Sequence, residues 1–245
     1  MAGKLVIVPT PVGNLGDMSP RAVEALCGAS LILAEDTRTS GVLLKHFGIA
    51  TPTASHHKFN EHRSLDTVLD RIAAGETVAL VSDAGTPGIS DPGFMLSREC
   101  RRRGLDVETL PGPTAFVPAL VSSGLPCDRF FFEGFLPVKK GRASRLEVLA
   151  ALPVTFIIYE SPLRLARTLD NLAEACGADR PAAVCREISK VHETIHRETL
   201  GELAAYFGVN QARGEIVVVV GGLERSPAAH SHRNKYRKDD CEAGD

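Results

Sequence analysis

Val78-Ala-Leu-Val-Ser-Asp-Ala-Gly-Thr-Pro-Gly-Ile-Ser-Asp-Pro-Gly-Phe94 carries the clearest structural instruction in this chain. Val78–Val81 is a short apolar run, the pattern of a strand buried on both faces. Asp83-Ala84-Gly85-Thr86-Pro87-Gly88 then breaks it. Gly85 and Gly88 admit backbone angles that a Cβ forbids, and Pro87 fixes its own φ. Ser90-Asp91-Pro92 reads as a helix start, with Asp91 as cap and Pro92 in the first turn. Strand, stiff turn and capped helix form the unit from which open α/β sheets build ligand crevices at the carboxyl ends of their strands.

The same alternation runs outward in both directions. Leu5–Pro9 and Leu31–Ala34 read as strands, each followed by a helix, one capped by Ser19-Pro20 and one stopping at Gly48. Leu65, Val68, Leu69 and Ile72 mark a third helix, and Val107–Leu110 a further strand. This order predicts a mostly parallel sheet. Pro111-Gly112-Pro113 is the expected hinge. Behind it come a helix over 114–122, strands at Phe130–Phe135 and Val154–Tyr159, and helices over 142–152 and from Ser161-Pro162 to Gly177. Two close strand-like runs, Ala182–Ile188 and Glu193–Leu200, predict an antiparallel pair. A short helix over 202–207 and a β-branched final strand, Glu215–Val220, complete a mixed sheet. The expected organisation is a parallel α/β domain over 1–111, a mixed α/β domain over 112–225 and a disordered tail over 226–245.

Composition narrows the classes. The chain of 245 residues has a formal net charge of −2, so any contact with nucleic acid must come from a local patch. No apolar run approaches the ~20 residues of a membrane span. The first strand begins almost at once, which leaves no room for a signal peptide. Six scattered cysteines without a C-x-x-C pair fit a reducing cytoplasm.

Three turns combine Pro and Gly after a strand: Pro9–Asp17, Asp83–Gly88 and Pro111–Ala115. If their strands are parallel neighbours, the turns share one sheet edge and line a pocket for a polar small molecule with backbone groups. The chain lacks G-x-G-x-x-G, G-x-x-x-x-G-K-[ST] and G-x-S-x-G, which argues against common phosphate cradles and a hydrolase elbow. Glu35-Asp36-Thr37-Arg38 sits at the same edge. It is either a substrate-binding segment or a solvated turn in which Asp36 or Thr37 caps the next helix. Asp36, Asp83 and Asp91 invite comparison with a magnesium site, but Asp91 is better explained as a cap, so no metal is expected. The loop Ser55–His62 offers His57, Phe59 and Asn60 to RNA bases. Lys139, Lys140, Arg142 and Arg145 precede or open a helix, where the dipole does not explain them, and read as phosphate contacts.

Val8–Asp17, Ala34–Arg38, Ser82–Gly93, Leu110–Pro113, Tyr159–Pro162 and Arg186-Glu187 occur in that order. Together they resemble the small-subunit ribosomal RNA methyltransferase I group of the tetrapyrrole methylase superfamily, over about residues 4–222. The resemblance implies two α/β domains, usually in a homodimer, with S-adenosylmethionine in the cleft between them. It also implies 2′-O-methylation of a cytidine in 16S rRNA at the decoding centre of the small ribosomal subunit. Carried over by motif, the cofactor residues are Pro11, Val12, Asp83, Gly85, Thr86, Ile89, Thr114 and Ala115, with Tyr159, Arg186, Glu215 and Ile216 from the second half. Asp36 and Glu35 are the candidates to orient or deprotonate the ribose hydroxyl, and Arg38 to meet a phosphate. Porphyrin-methylating relatives usually carry a G-x-G-x-G-D-P loop after the first strand, where this chain has Pro9–Asp17. A tetrapyrrole C-methyltransferase and a non-enzymatic RNA-binding module are the competing readings.

Overall fold

A computed structural model describes residues 3–57 and 61–223. The expectations for Phe59, Asn60 and the 226–245 tail fall outside those residues. Two five-stranded sheets follow one another along the chain. The first holds β1 (Lys4–Ile7), β2 (Leu31–Ala34), β3 (Thr53–Ser55), β4 (Thr77–Val81) and β5 (Asp106–Thr109) in the order β3-β2-β4-β1-β5. All its pairings are parallel. Alternate residues feed two cores. Val6 and Val8 meet Leu26 of α1 (Pro20–Gly28) and Leu44 of α2 (Thr37–His46). Leu5 and Ile7 meet Leu69 and Ile72 of α3 (Glu61–Ala73) and Leu96 of α4 (Phe94–Arg102). Helices therefore cover both faces, as a parallel sheet requires.

The second sheet is mixed, in the order β6-β7-β10-β8-β9. Its strands are β6 (Phe130–Phe135), β7 (Thr155–Glu160), β8 (Pro181–Arg186), β9 (Thr194–Thr199) and β10 (Ile216–Val220). β6 and β7 run parallel, while β10 lies antiparallel between β7 and β8. The predicted pairing of β8 with β9 is antiparallel, as expected. Ala119 and Leu120 of α5 (Phe116–Ser123) cover one face. On the other face lie α6 (Arg142–Ala150), α7 (Leu165–Cys176) and α8 (Leu200–Val209), through Leu149, Leu169 and Leu203.

Two expected caps are not caps. α4 starts at Phe94 with Gly93 at its cap position and no side-chain cap bond, so Asp91 is not a cap. The chain spends Ser90–Pro92 on a further turn, in which Gly88 N donates to Pro92 O at 3.2 Å. Gly93 ends that turn at φ 130, where a Cβ would stand 2.7 Å from Leu80 Cδ2. Similarly, α7 begins three residues after Pro162, with Arg164 at the cap position. Ser19 and Asp36 do cap, accepting from Ala22 N and Arg38 N. The edge strand β3 was not anticipated, because Thr53-Ala54-Ser55 has no apolar pattern to announce it.

Candidate functional site

β4, β1 and β5 are adjacent, so the three Pro/Gly turns do share one sheet edge. Hydrogen bonds join them side by side. Thr10 N donates to Gly85 O and Gly85 N to Thr10 O, both at 2.9 Å. Thr10 Oγ1 reaches Ser82 O at 3.1 Å, and Thr86 Oγ1 reaches Pro113 O at 3.0 Å. Turns made stiff by Pro and Gly thus become one continuous floor. Above it opens a cavity of about 350 Å³. Val12, Gly85, Thr86, Ile89, Thr114 and Ala115 line it from the first half of the chain. From the second come Phe135, the turn Tyr159–Pro162, Ile188 and Gly214–Val217.

Most of the carried-over cofactor positions therefore meet in one place, including Tyr159, Glu215 and Ile216. Pro11, Asp83 and Arg186 do not line the cavity. Asp83 Oδ1 accepts from Asp36 N at 3.2 Å and so ties β4 to β2. The Arg186 guanidinium is spent on Thr194 Oγ1, Arg213 O and His192 O. Sequence reasoning missed Phe135, Ile188, Glu160 and Asp91 as lining residues. The available signal for Asp91 was Gly93, which interrupts the chain between Pro92 and the first helical residue.

The walls are apolar and acidic. Tyr159 stacks edge-on against Phe132 and Phe135, and burial pushes its hydroxyl up to about 12. The Glu160 carboxylate is fully enclosed. It accepts from Ser161 N at 2.8 Å and Thr168 Oγ1 at 2.6 Å, and pairs with Arg164 Nε at 3.0 Å. Asp91 has no ion-pair partner among the described residues. Burial, with Glu35 and Asp83 adding to it, pushes its carboxyl up to about 7. No lysine or arginine lines the cavity among the described residues. Such walls disfavour phosphates and suit a ligand with an apolar body and a cationic end.

Beyond the cavity, along the end of β2, burial and the Asp83 charge raise the Glu35 carboxyl, with His57 opposing. Asp36 differs. Arg38 grips it through Nε at 3.1 Å and Nη2 at 2.7 Å, and this bonding holds its carboxyl at about 2. Asp36 is thus a helix cap and a poor proton acceptor, and Arg38 is engaged with it. The Lys139 cluster also divides. Arg142 bonds Thr168 Oγ1, Asn171 Oδ1 and Pro137 O, and Arg145 pairs with Glu133, so both are internal fasteners rather than phosphate contacts. Lys139 and Lys140 are exposed. Among the described residues no three His, Cys, Asp or Glu side chains come together as metal ligands.

The profile of the family described as Tetrapyrrole (Corrin/Porphyrin) Methylases matches residues 4–204. Ribosomal RNA small subunit methyltransferase I of Synechocystis sp. is 49% identical over 90% of this chain and 79% of its own length. The Escherichia coli O157:H7 protein of that name is 48% identical over 90% and 78%. The chain belongs to the tetrapyrrole methylase family, in its ribosomal RNA methyltransferase I group. Solved structures share the fold. Uroporphyrin-III C-methyltransferase from Thermus thermophilus, complexed with S-adenosylhomocysteine, aligns with a TM-score of 0.65 at 20% identity, covering 89% of this chain and 97% of that one. Diphthine synthase aligns at 0.70 with 15% identity, covering 89% of each. The porphyrin-modifying relatives are thus fold relatives, and the strong sequence kinship is with the ribosomal RNA enzymes. No helix among the described residues is long and apolar enough to cross a membrane.

Proposed function

We propose that this chain uses S-adenosylmethionine to methylate the ribose 2′-oxygen of a cytidine in 16S rRNA of the small ribosomal subunit. The observation that carries the reading is the cavity itself. Its floor is made of backbone turns, its walls are apolar and acidic, and it lies in a chain nearly half identical to ribosomal RNA methyltransferases over nine-tenths of its length. The residues fit the cofactor. A volume of about 350 Å³ is within the range of sites for ligands of this size. Apolar walls and exposed backbone suit an adenosine, and Asp91 suits the ammonium or sulfonium charge.

When bound, S-adenosylmethionine supplies a methyl group activated by its sulfonium. The protein's part is alignment and proton handling. The turns after β1, β4 and β5 hold the nucleoside. Asp91, ionised, faces its positive end. Of the two candidates, Asp36 and Glu35, the raised Glu35 carboxyl is the better holder of the ribose hydroxyl proton. Lys139 and Lys140 meet phosphates, and His57 the neighbouring nucleotide. We assign one sheet to each of two domains, over 1–111 and 112–225. Val117 and Val121 of α5 and Phe130 of β6, all exposed, support a homodimer through that face. A ribosomal RNA substrate supports a cytoplasmic location.

The test offers labelled S-adenosylmethionine and small subunits from a strain lacking the modification. Label should enter one cytidine, and a 2′-deoxycytidine target should accept none. Glu35→Gln should lower kcat by roughly 10²–10⁴-fold and leave cofactor affinity nearly unchanged at pH 8, where Asp91 is already ionised. Transfer to a porphyrinogen, with none to the subunit, would reverse the assignment.

A further inference from the structure

The loop between β8 and β9, residues 187–193, reaches from the second sheet to the first. Ser189 Oγ donates to the Asp17 carboxylate at 2.6 Å, although the two residues are 172 positions apart. The Lys190 side chain lies across Gly13, where a Cβ would collide with its Cγ. At its root the loop is fastened to the cavity. Glu187 N donates to Glu215 O at 2.9 Å, and Glu187 Oε1 accepts from Glu215 N at 2.8 Å. Lys190 Nζ bonds Glu187 Oε1 at 2.9 Å and pairs with Glu215 at 3.1 Å. Ile188 lines the cavity itself, together with Val12 from the first half of the chain and Glu215 from the second. The loop is therefore a strap over the seam between the two sheets.

The strap is held in a costly conformation. Glu187 and Ser189 have φ of 54° and 66°, the left-handed region that residues with a Cβ avoid. Such geometry persists only where surrounding contacts impose it. The contacts at its root are several, and Gly214 leaves room there for the Glu187 carboxylate, which a Cβ would strike. Among the described residues its hold on the first sheet's side is slight: one hydrogen bond to an exposed carboxylate, and a lysine stem on a glycine. The next residue, Val191, is 95% exposed. A segment anchored firmly at one end, strained in its middle and lightly fastened at the other is built to release at the light end.

We propose that residues 187–193 form a latch, which opens at the Asp17–Ser189 contact to admit and release the nucleoside ligand and closes over it when bound. This rests on the cavity being the S-adenosylmethionine site. The test uses Asp17→Cys/Ser189→Cys in the full chain, with Cys27, Cys127 and Cys241 changed to serine and the cross-link confirmed by mass spectrometry. S-adenosylhomocysteine is the probe. Loaded before oxidation, it should dissociate at least tenfold more slowly than from the reduced protein. Added after oxidation, it should enter correspondingly slowly, and reductant should restore both rates. Ser189→Ala, which needs no cross-link, should speed dissociation several-fold with Tm unchanged. Exchange within twofold of the reduced rate in the cross-linked protein, or an unchanged rate in Ser189→Ala, overturns the latch. In those cases S-adenosylhomocysteine still binds, and the assigned function stands. Failure of every form to bind it would instead overturn the assignment of the cavity.

Discussion

On the first sheet's side of the cavity, Thr10 and Gly85 exchange backbone hydrogen bonds of 2.9 Å in both directions. On the second sheet's side, the turn after β7 is closed by Arg164 N donating to Ser161 O at 2.9 Å and gathers most of its other support on one side chain, the enclosed Glu160 carboxylate with its bonds to Ser161, Thr168 and Arg164. One rim is written in backbone, the other in a buried charge. The backbone rim distributes its support over several turns, so it should tolerate loss of one side chain. The charged rim concentrates support, so one substitution should undo it.

The largest expected effect follows from that concentration. Glu160→Ala removes the acceptor for Ser161 N and Thr168 Oγ1 and leaves Arg164 without its counter-charge. Breaking a buried pair by deleting one partner costs about 3–5 kcal/mol. Denaturant unfolding should show that loss. Glu160→Gln, which keeps the shape and some acceptors, should recover part of it. A loss under ~1 kcal/mol in Glu160→Ala would erase the contrast between the rims.

Asp91 sharpens the comparison, because it puts charge chemistry on the backbone rim. Its carboxyl lies at about 7, so it is largely neutral at pH 6 and ionised at pH 8. A cationic ligand binds the ionised form, so affinity for S-adenosylmethionine should rise as pH climbs through about 7 and level off above it. Asp91→Asn should weaken binding by about 10–100-fold at pH 8, the worth of a charged hydrogen bond of ~1.5–3 kcal/mol, and should flatten the profile. Calorimetry across that range measures both.

Much of this architecture is legible in the sequence, and what is not has a physical cause. Helix stops at Gly48, Gly104, Gly124 and Gly177 are local events, and the apolar runs of β1, β2, β4 and β10 need no partner to be recognised. The shared edge of the three turns follows from strand order, which parallel alternation constrains. Asp91 and Ser161-Pro162 were misread because a cap and a turn use the same residues, and only the position of the first helical turn separates them. Arg142 and Arg145 looked like free charge because their partners, Thr168, Asn171 and Glu133, lie on other elements. Phe135, Glu160 and Ile188 reach the cavity only after the second sheet is folded against the first.

Thr86 tests the backbone rim directly. Its hydroxyl bonds Pro113 O at 3.0 Å and joins the second turn to the third. Thr86→Val keeps the shape and deletes the bond. The expected cost is about 0.5–1.5 kcal/mol, several times less than for Glu160→Ala. Cofactor affinity should fall only modestly, because Thr10 and Gly85 still hold the floor together. A loss equal to that of Glu160→Ala would show that this rim, too, rests on one side chain.

The smallest effect belongs to Asp36, and it separates a cap from a catalyst. Its carboxylate accepts from Arg38 N at 2.8 Å, and the Arg38 side chain holds it at about 2. A depressed carboxyl contributes stability that is complete above its unfolded value near 3.8 and disappears as pH falls toward about 2. Asp36→Ala should therefore lower Tm slightly at neutral pH, and the gap from the parent should close in acid. Asp36→Asn retains a capping oxygen and should restore most of the Tm. Both variants should methylate at close to the parental kcat. A base at this position would instead cost roughly 10²–10⁴-fold in kcat, in the asparagine variant as much as in the alanine one. A carboxylate tied up by its own arginine has little left with which to draw a proton from a sugar, whereas Glu35, one residue earlier and without such a partner, keeps that capacity.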